Sequence, residues 1–136
     1  MIAALILMVS LAALLQFFIS YCRSAIAACG KKELSEQARE VTGIQDHAVT
    51  GEEFLRLDQL LGLCPEPGGD RFETRAVRNY YHLLNFLRAL MRGLAPTVAL
   101  WADRERAGCA YYAAVALDRR IAHSRDLLAE QMANRL

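Results

Sequence analysis

The first 21 residues, MIAALILMVSLAALLQFFISY (residues 1–21), contain no charged side chain. About twenty apolar residues in a helix, at 1.5 Å rise each, cover the roughly 30 Å hydrocarbon core of a bilayer. This stretch therefore predicts a single membrane-spanning helix that contacts lipid through residues 1–22. Because Arg23, Lys31 and Lys32 all follow it, the positive-inside rule predicts an external N-terminus and a cytoplasmic body.

A cleaved signal peptide is the competing interpretation of this stretch. Signal peptides begin with basic residues and carry a shorter apolar core before the cleavage site. Here no basic residue precedes the apolar run, and Arg23 interrupts the region before Cys29 that a lipoprotein signal would keep apolar. We therefore expect a retained anchor. Arg outnumbers Lys 14 to 2, which is typical of a GC-rich bacterial genome, so the expected location is a bacterial inner membrane.

The part of the chain after the anchor is electrically balanced. Of 16 basic residues only Arg23 precedes residue 30, which leaves 15 basic against 15 acidic residues. Nucleic-acid-binding domains usually carry a basic excess, so we expect no nucleic acid partner. About 105 residues are enough for one small domain. The cysteines and histidines show no zinc-site spacing, and no catalytic or phosphate-binding motif occurs, so no cofactor, metal or enzymatic activity is expected.

Helical periodicity and cap signals dominate the body, and the signal for strands is nearly absent. The composition divides the chain into an anchor with a juxtamembrane helix (residues 1–29), short acidic helices with a Pro/Gly loop (30–69), and two long helices (70–136). The fold class is therefore all-α: a transmembrane helix followed by a small helical bundle with a long C-terminal helix.

Local signals set the expected helix boundaries. Residues 31–42 predict a short charged helix that continues from the membrane and stops at Gly43, and residues 44–49 predict a connector. Two apparent capping boxes, at residues 50–53 and 70–73, predict helices reaching about residue 61, where Gly62 ends the first, and about residue 92. Pro96 suits the first turn of a last helix over about residues 97–133.

The last helix has an unusual centre, AGCAYYAAVAL (residues 107–117), which is apolar on every side. A helix of this kind is normally buried on every side. Because the domain is small, we expect its own helices to leave part of this centre for another protein surface. The same helix also offers a rough coiled-coil seam, which Ala and Tyr make a poor zipper. Its residues are Leu100, Ala107, Tyr111, Ala114, Leu117, Ile121, Leu128 and Met132.

The helix over residues 71–92 predicts a basic face opposite its apolar face. Its polar residues recur at spacings of three and four: Arg71, Arg75, Arg78, His82, Asn85, Arg88 and Arg92. Such a face can contact anionic lipid or an acidic partner. An internal alternative is that it neutralises residues 33–69, which carry eight acidic residues against two arginines.

Aromatic residues are the predicted contacts with a protein partner, since Tyr and Trp are enriched at binding hot spots. We expect one ring of each adjacent tyrosine pair to face inward and the other to face a partner. The predicted interface residues are Tyr81, Trp101, Tyr111, Tyr112 and Val115. Together these features favour a non-catalytic accessory or assembly subunit of a larger membrane complex. The alternatives are a membrane-tethered regulator that binds a cytoplasmic protein or ligand reversibly, and a self-associating anchored coiled coil.

Overall fold

The computed structural model describes residues 1–30, 33–43 and 50–136. Its elements are α1 (Ile2–Gly30), α2 (Glu36–Thr42), a 3₁₀ turn (Gly51–Glu53), α3 (Phe54–Leu63), α4 (Asp70–Met91) and α5 (Pro96–Asn134). No strand occurs in these described ranges. The predicted fold class is confirmed: an all-α protein with one long apolar N-terminal helix and a long C-terminal helix packed on the others.

Helix α1 has two parts with different environments. Residues 1–17 are exposed along their whole length, whereas residues 18–29 pack against the body of the protein. Phe18, Cys22, Ile26 and Cys29 recur at intervals of three and four, so they share one face of the helix. That face meets α4 and α5, and both cysteines are buried. The apolar helix is therefore continuous with the core of the body.

Helix α5 is the central element, and α1, α3 and α4 surround its first two-thirds. The residues from Ala110 to Leu117 are buried except for Tyr111, which is partly exposed. Small side chains dominate this segment and allow close approach of the neighbouring helices. At Gly108 the fit is tight, since a methyl group placed there would lie 3.0 Å from Cγ2 of Ile26.

Helix α4 runs antiparallel to α1 and is covered on two sides. On the α1 side, Phe18 meets the edge of Tyr80 with ring centroids 6.4 Å apart, and the Cys22 thiol donates to the carbonyl of Ala76 at 3.6 Å. On the other side, Phe54 of α3 stacks on Tyr81 with centroids 4.1 Å apart. Helix α4 therefore joins the α1 side of the core to the α3 side.

Several local signals are confirmed. Gly43 follows α2 in the left-handed region (φ 68°), where glycine is favoured, and Pro96 is the first residue of α5. The predicted helix over residues 31–42 is partly wrong, because α1 ends at Gly30 and residues 33–35 are not helical. Residues 31 and 32 and the predicted connector over residues 44–49 lie outside the described residues. Gly62 does not end α3, which continues to Leu63.

Both predicted capping boxes are wrong. Thr50 makes no side-chain cap hydrogen bond. A 3₁₀ turn precedes α3 instead, in which the backbone N–H of Glu53 donates a hydrogen bond to the carbonyl of Thr50. Asp70 is the first residue of α4 rather than its cap, which is Gly69 at φ 96°. The carboxylates expected in the second box are engaged elsewhere: Asp70 pairs with Arg120 of α5, and Glu73 accepts a hydrogen bond from Tyr112.

Candidate functional site

Three of the five predicted interface residues lie in the core of the protein. Tyr81, Tyr112 and Val115 are at most 4% exposed. Trp101 and Tyr111 are partly buried and pack against the same core. A side chain that its own fold covers is not accessible to a partner, so Tyr81, Tyr112 and Val115 are not retained as partner contacts.

The tyrosine pair on α4 shows why the expectation was wrong there. Adjacent residues on a helix point about 100° apart, so one ring of a pair leaves the core when a single neighbour covers the helix. Helix α4 packs mainly on α5, whose Glu105 and Arg106 reach the hydroxyl groups of Tyr80 and Tyr81. Phe18 of α1 and Phe54, the first residue of α3, cover the two rings further. Both rings are therefore buried, at 0% and 1% exposure.

The apolar centre of α5 is also covered within the chain. Every residue from 112 to 117 is buried by the surrounding helices. This segment therefore does not need another protein to cover it, contrary to our expectation. The coiled-coil seam is interrupted for the same reason, because Ala114 and Leu117 face the core. Further along the seam, Ile121 packs against the core, whereas Leu128 and Met132 are exposed.

The basic face of α4 is largely neutralised within the fold. Arg71 pairs with Glu66 at 2.8 Å, Arg78 with Asp58 at 2.8 Å, and Arg88 with Asp103 at 2.8 Å. The hydrogen bond and positive charge of Arg71 lower the pKa of the exposed Glu66 carboxyl. The two remaining members of the face are exposed: Arg75 in the second turn of α4 and Arg92 directly after its last residue.

Buried polar groups connect the helices away from this face. The Arg120 side chain is 2% exposed and joins three elements. Its Nη1 donates to the carbonyl of Leu61 at 2.6 Å, and its Nε lies 3.4 Å from Oδ2 of Asp70. No sequence motif pointed to Arg120 or to Arg106, a second buried arginine of α5. Their spacing from the core residues Cys109 and Leu117, three residues each, was the available signal that both share the buried face of α5.

Two buried tyrosines form similar links. The Tyr80 hydroxyl donates to Glu105 at 2.8 Å, and the Tyr112 hydroxyl donates to Glu73 at 2.7 Å. Burial, reinforced by these hydrogen bonds to carboxylates, raises the pKa of both phenols far above the ordinary value. Both hydrogen bonds hold α5 to α4, so a structural role explains the buried tyrosine hydroxyl groups.

Among the exposed apolar residues of the described part of the chain, three larger groups stand out. The first is residues 1–17 of α1. The second, here called the hairpin tip, comprises residues 86–101, where α4 turns into α5; its exposed apolar residues are Phe86, Leu90, Leu94 and Leu100. The third, here called the distal end of α5, comprises residues 121–134, with Leu127, Leu128 and Met132 exposed. These surfaces are the candidate sites of interaction.

Helix α1 is the one helix in the described residues that is long and apolar enough to cross a membrane, by the criteria of length and composition that a signal sequence also meets. Within the same residues, no three His, Cys, Asp or Glu side chains come together as a metal site. No known protein family matches the chain, and neither a curated protein nor a solved structure is similar to it at a significant level.

Proposed function

We propose that the protein is a non-catalytic accessory subunit of a membrane complex, anchored through α1 and attached to a neighbouring subunit through the distal end of α5. The observation that carries the anchoring is the division of α1. Residues 1–17 form an exposed apolar helix, and residues 18–29 contribute Cys22 and Cys29 to the core. Exposed apolar surface of this length is stable in lipid rather than in water.

The same division favours retention of α1 over its removal as a signal sequence. A signal peptidase acts on an accessible extended segment beyond the apolar run, and here the residues after the run are helical and packed. Cleavage between residues 21 and 30 would detach the face formed by Phe18, Cys22, Ile26 and Cys29 from α4 and α5. The body would then expose apolar surface that α1 now covers.

Attachment to another subunit is supported by the distal end of α5. Residues 125–134 are exposed on every side, and the last buried residue of the helix is Arg120. An isolated helix of this length is only marginally stable in water. Leu128 and Met132 are four residues apart and form an apolar edge on this protruding segment. A second helix packed on that edge would stabilise it.

The proposed location is the inner membrane of a bacterium, with the N-terminus outside and the body in the cytoplasm. The support is the sequence: no basic residue precedes the apolar run, and Arg23, Lys31 and Lys32 follow it. Arg23 is exposed at the start of the packed part of α1 and lies 3.6 Å from Glu105. Its position two residues after the apolar run supports a membrane boundary near it.

The protruding segment also keeps self-association as a second candidate, because a second copy presents the same apolar edge. A reversible regulator is the third, and it differs in the strength of attachment. Purification in mild detergent from the native membrane, at the natural expression level, separates the three. The accessory-subunit proposal predicts a fixed set of co-purifying membrane proteins that withstands high salt.

The variant Leu128→Asp/Met132→Asp tests the attachment site. We expect it to lose the co-purifying set while it remains in the membrane, because two charges would be buried without partners in the contact. Leu55→Asp is the matched control, since Leu55 is exposed on α3 of the body. A homo-oligomer without other proteins would establish self-association instead. A lone chain, or a set that Leu128→Asp/Met132→Asp does not change, would contradict the proposal.

A further inference from the structure

We propose that the hairpin tip is a second membrane contact, which inserts into the lipid interface of the leaflet from which α1 emerges. This inference rests on the proposed anchoring through α1, and it adds a lipid-binding site that fixes the orientation of the body. It depends on three features: the directions of the helices, the depth at which the tip lies, and the side chains that the tip exposes.

The directions of the helices place the hairpin tip beside the apolar half of α1. Arg23 pairs with Glu105, and three residues further along both helices Ile26 packs on Gly108, so α5 runs in the same direction as α1. Helix α4 runs the opposite way and reaches the tip at its C-terminal end. The tip therefore extends back from the packed region towards residues 1–17.

The depth follows from the helix rise. Pro96 precedes Gly108 by twelve residues, which is about 18 Å along α5. Packed helices cross at roughly 20–50°, so the displacement along α1 is about 12–17 Å. Counted back from Ile26, this places the start of α5 beside residues 15–18 of α1, about 5–9 Å inside the end of the apolar run at residue 21. Helices bound at a membrane interface bury their apolar face about 5–10 Å deep.

The side chains of the tip suit the interface of an anionic membrane. Residues 86–101, FLRALMRGLAPTVALW, contain two arginines and no acidic residue. Arg88 pairs with Asp103 just beyond the segment, so Arg92 is the arginine offered to phosphate. Phe86, Leu90, Leu94 and Leu100 are 50–77% exposed, although a folded domain usually covers such a cluster. Arg92 is exposed within the cluster, and Trp101 ends it. Aromatic residues at the headgroup level and arginines that reach phosphate are typical of this position. This combination favours phospholipid over a protein partner as the occupant.

Trp101 is the one tryptophan in the sequence, so its fluorescence reports on the hairpin tip directly. The full chain is reconstituted in vesicles of phosphatidylcholine and phosphatidylglycerol that carry bromine at shallow or deep acyl positions. We expect quenching of Trp101 that is stronger with the shallow label, together with a blue-shifted emission. The double variant Leu90→Asp/Leu94→Asp should lose most of this quenching and shift emission to the red.

Leu63→Asp is the matched control for the variant. Leu63 is 82% exposed, but it lies at the end of α3 beside Leu61, whose carbonyl binds Arg120, far from the tip along α5. It should keep the quenching of the unmodified protein. Protein that resists carbonate extraction but shows unquenched Trp101, or quenching that the tip variant leaves unchanged, would overturn the inference and leave the anchor intact. Release by carbonate would instead overturn the proposed anchoring, and this inference with it.

Discussion

Replacement of Arg120 by methionine is the sharpest test of how the body is held together. Methionine retains most of the apolar stem of arginine but removes the charge and all donors. Asp70, whose side chain is 6% exposed, would lose its contact with Nε of Arg120, and the Leu61 carbonyl would lose its 2.6 Å hydrogen bond. Because these groups belong to α4 and α3, the substitution disconnects both helices from α5.

The magnitude follows from the groups left behind. Removing one partner of a buried ion pair costs about 3–5 kcal/mol, and an unpaired buried carbonyl costs about 1–3 kcal/mol. Arg119, whose Nη2 lies 3.8 Å from Asp70, compensates part of the loss. We therefore expect Arg120→Met to lower the free energy of unfolding by about 4 kcal/mol, a large share of the roughly 5–15 kcal/mol of a typical domain.

Guanidinium unfolding of the full chain in mild detergent, followed by far-UV circular dichroism, measures this change. Arg104→Met is the matched control, because Arg104 is an exposed arginine of the same helix, and its effect should stay within about 0.5 kcal/mol. In Arg120→Met/Asp70→Asn the unpaired Asp70 charge is absent. The free energy of unfolding of this double variant should therefore fall by at least about 1 kcal/mol less than the sum of the losses in the two single variants. Strict additivity, or a loss below about 1 kcal/mol in Arg120→Met, would refute the reasoning.

Two further predictions concern the packing of α5. Since burial raises the phenol pKa of Tyr80 and Tyr112 in the folded state, their stabilisation is complete below about pH 10 and falls as the pH rises further, by about 1.4 kcal/mol per pH unit for each. The unfolding midpoint, measured at several pH values above about 10, should therefore depend less on pH in Tyr80→Phe/Tyr112→Phe. An unchanged pH dependence in this variant would show that the two phenols are not its cause. At the contact with Ile26, Gly108→Leu should be about 1–3 kcal/mol less stable than Gly62→Leu, because a side chain at Gly62 meets nothing within 4 Å. Equal stabilities of the two variants would show that α1 is not tightly packed there.

The sequence was sufficient for the helices but not for their partners. Periodicity and the roles of Gly43 and Pro96 depend on neighbouring residues alone, so they could be derived from the chain itself. The capping box at residues 70–73 depends on carboxylates that distant residues also attract. Tertiary contacts with Arg120 and Tyr112 engaged these carboxylates and left the local cap unformed.

The prediction that Tyr81 faces a partner was wrong for a related reason. Whether Tyr81 is exposed depends on how many neighbours cover α4, and helical spacing cannot give that number. The packed half of α1 was missed for a different reason, because the segment was interpreted only as the end of a membrane span. Its polar residues Ser20, Arg23 and Ser24 all lie on the exposed side, so helical spacing did carry the signal for a packed face with Cys22 and Cys29. The hairpin tip became visible only when the directions of α1, α4 and α5 were known.

The central claim is that α1 is retained and serves both as membrane anchor and as a helix of the core. The most direct measurement is the intact mass of the protein from carbonate-washed native membranes, compared with the mass in the soluble fraction. We expect the protein to remain in the washed membranes with a mass that includes residues 1–21. A soluble form whose mass lacks those residues would contradict it.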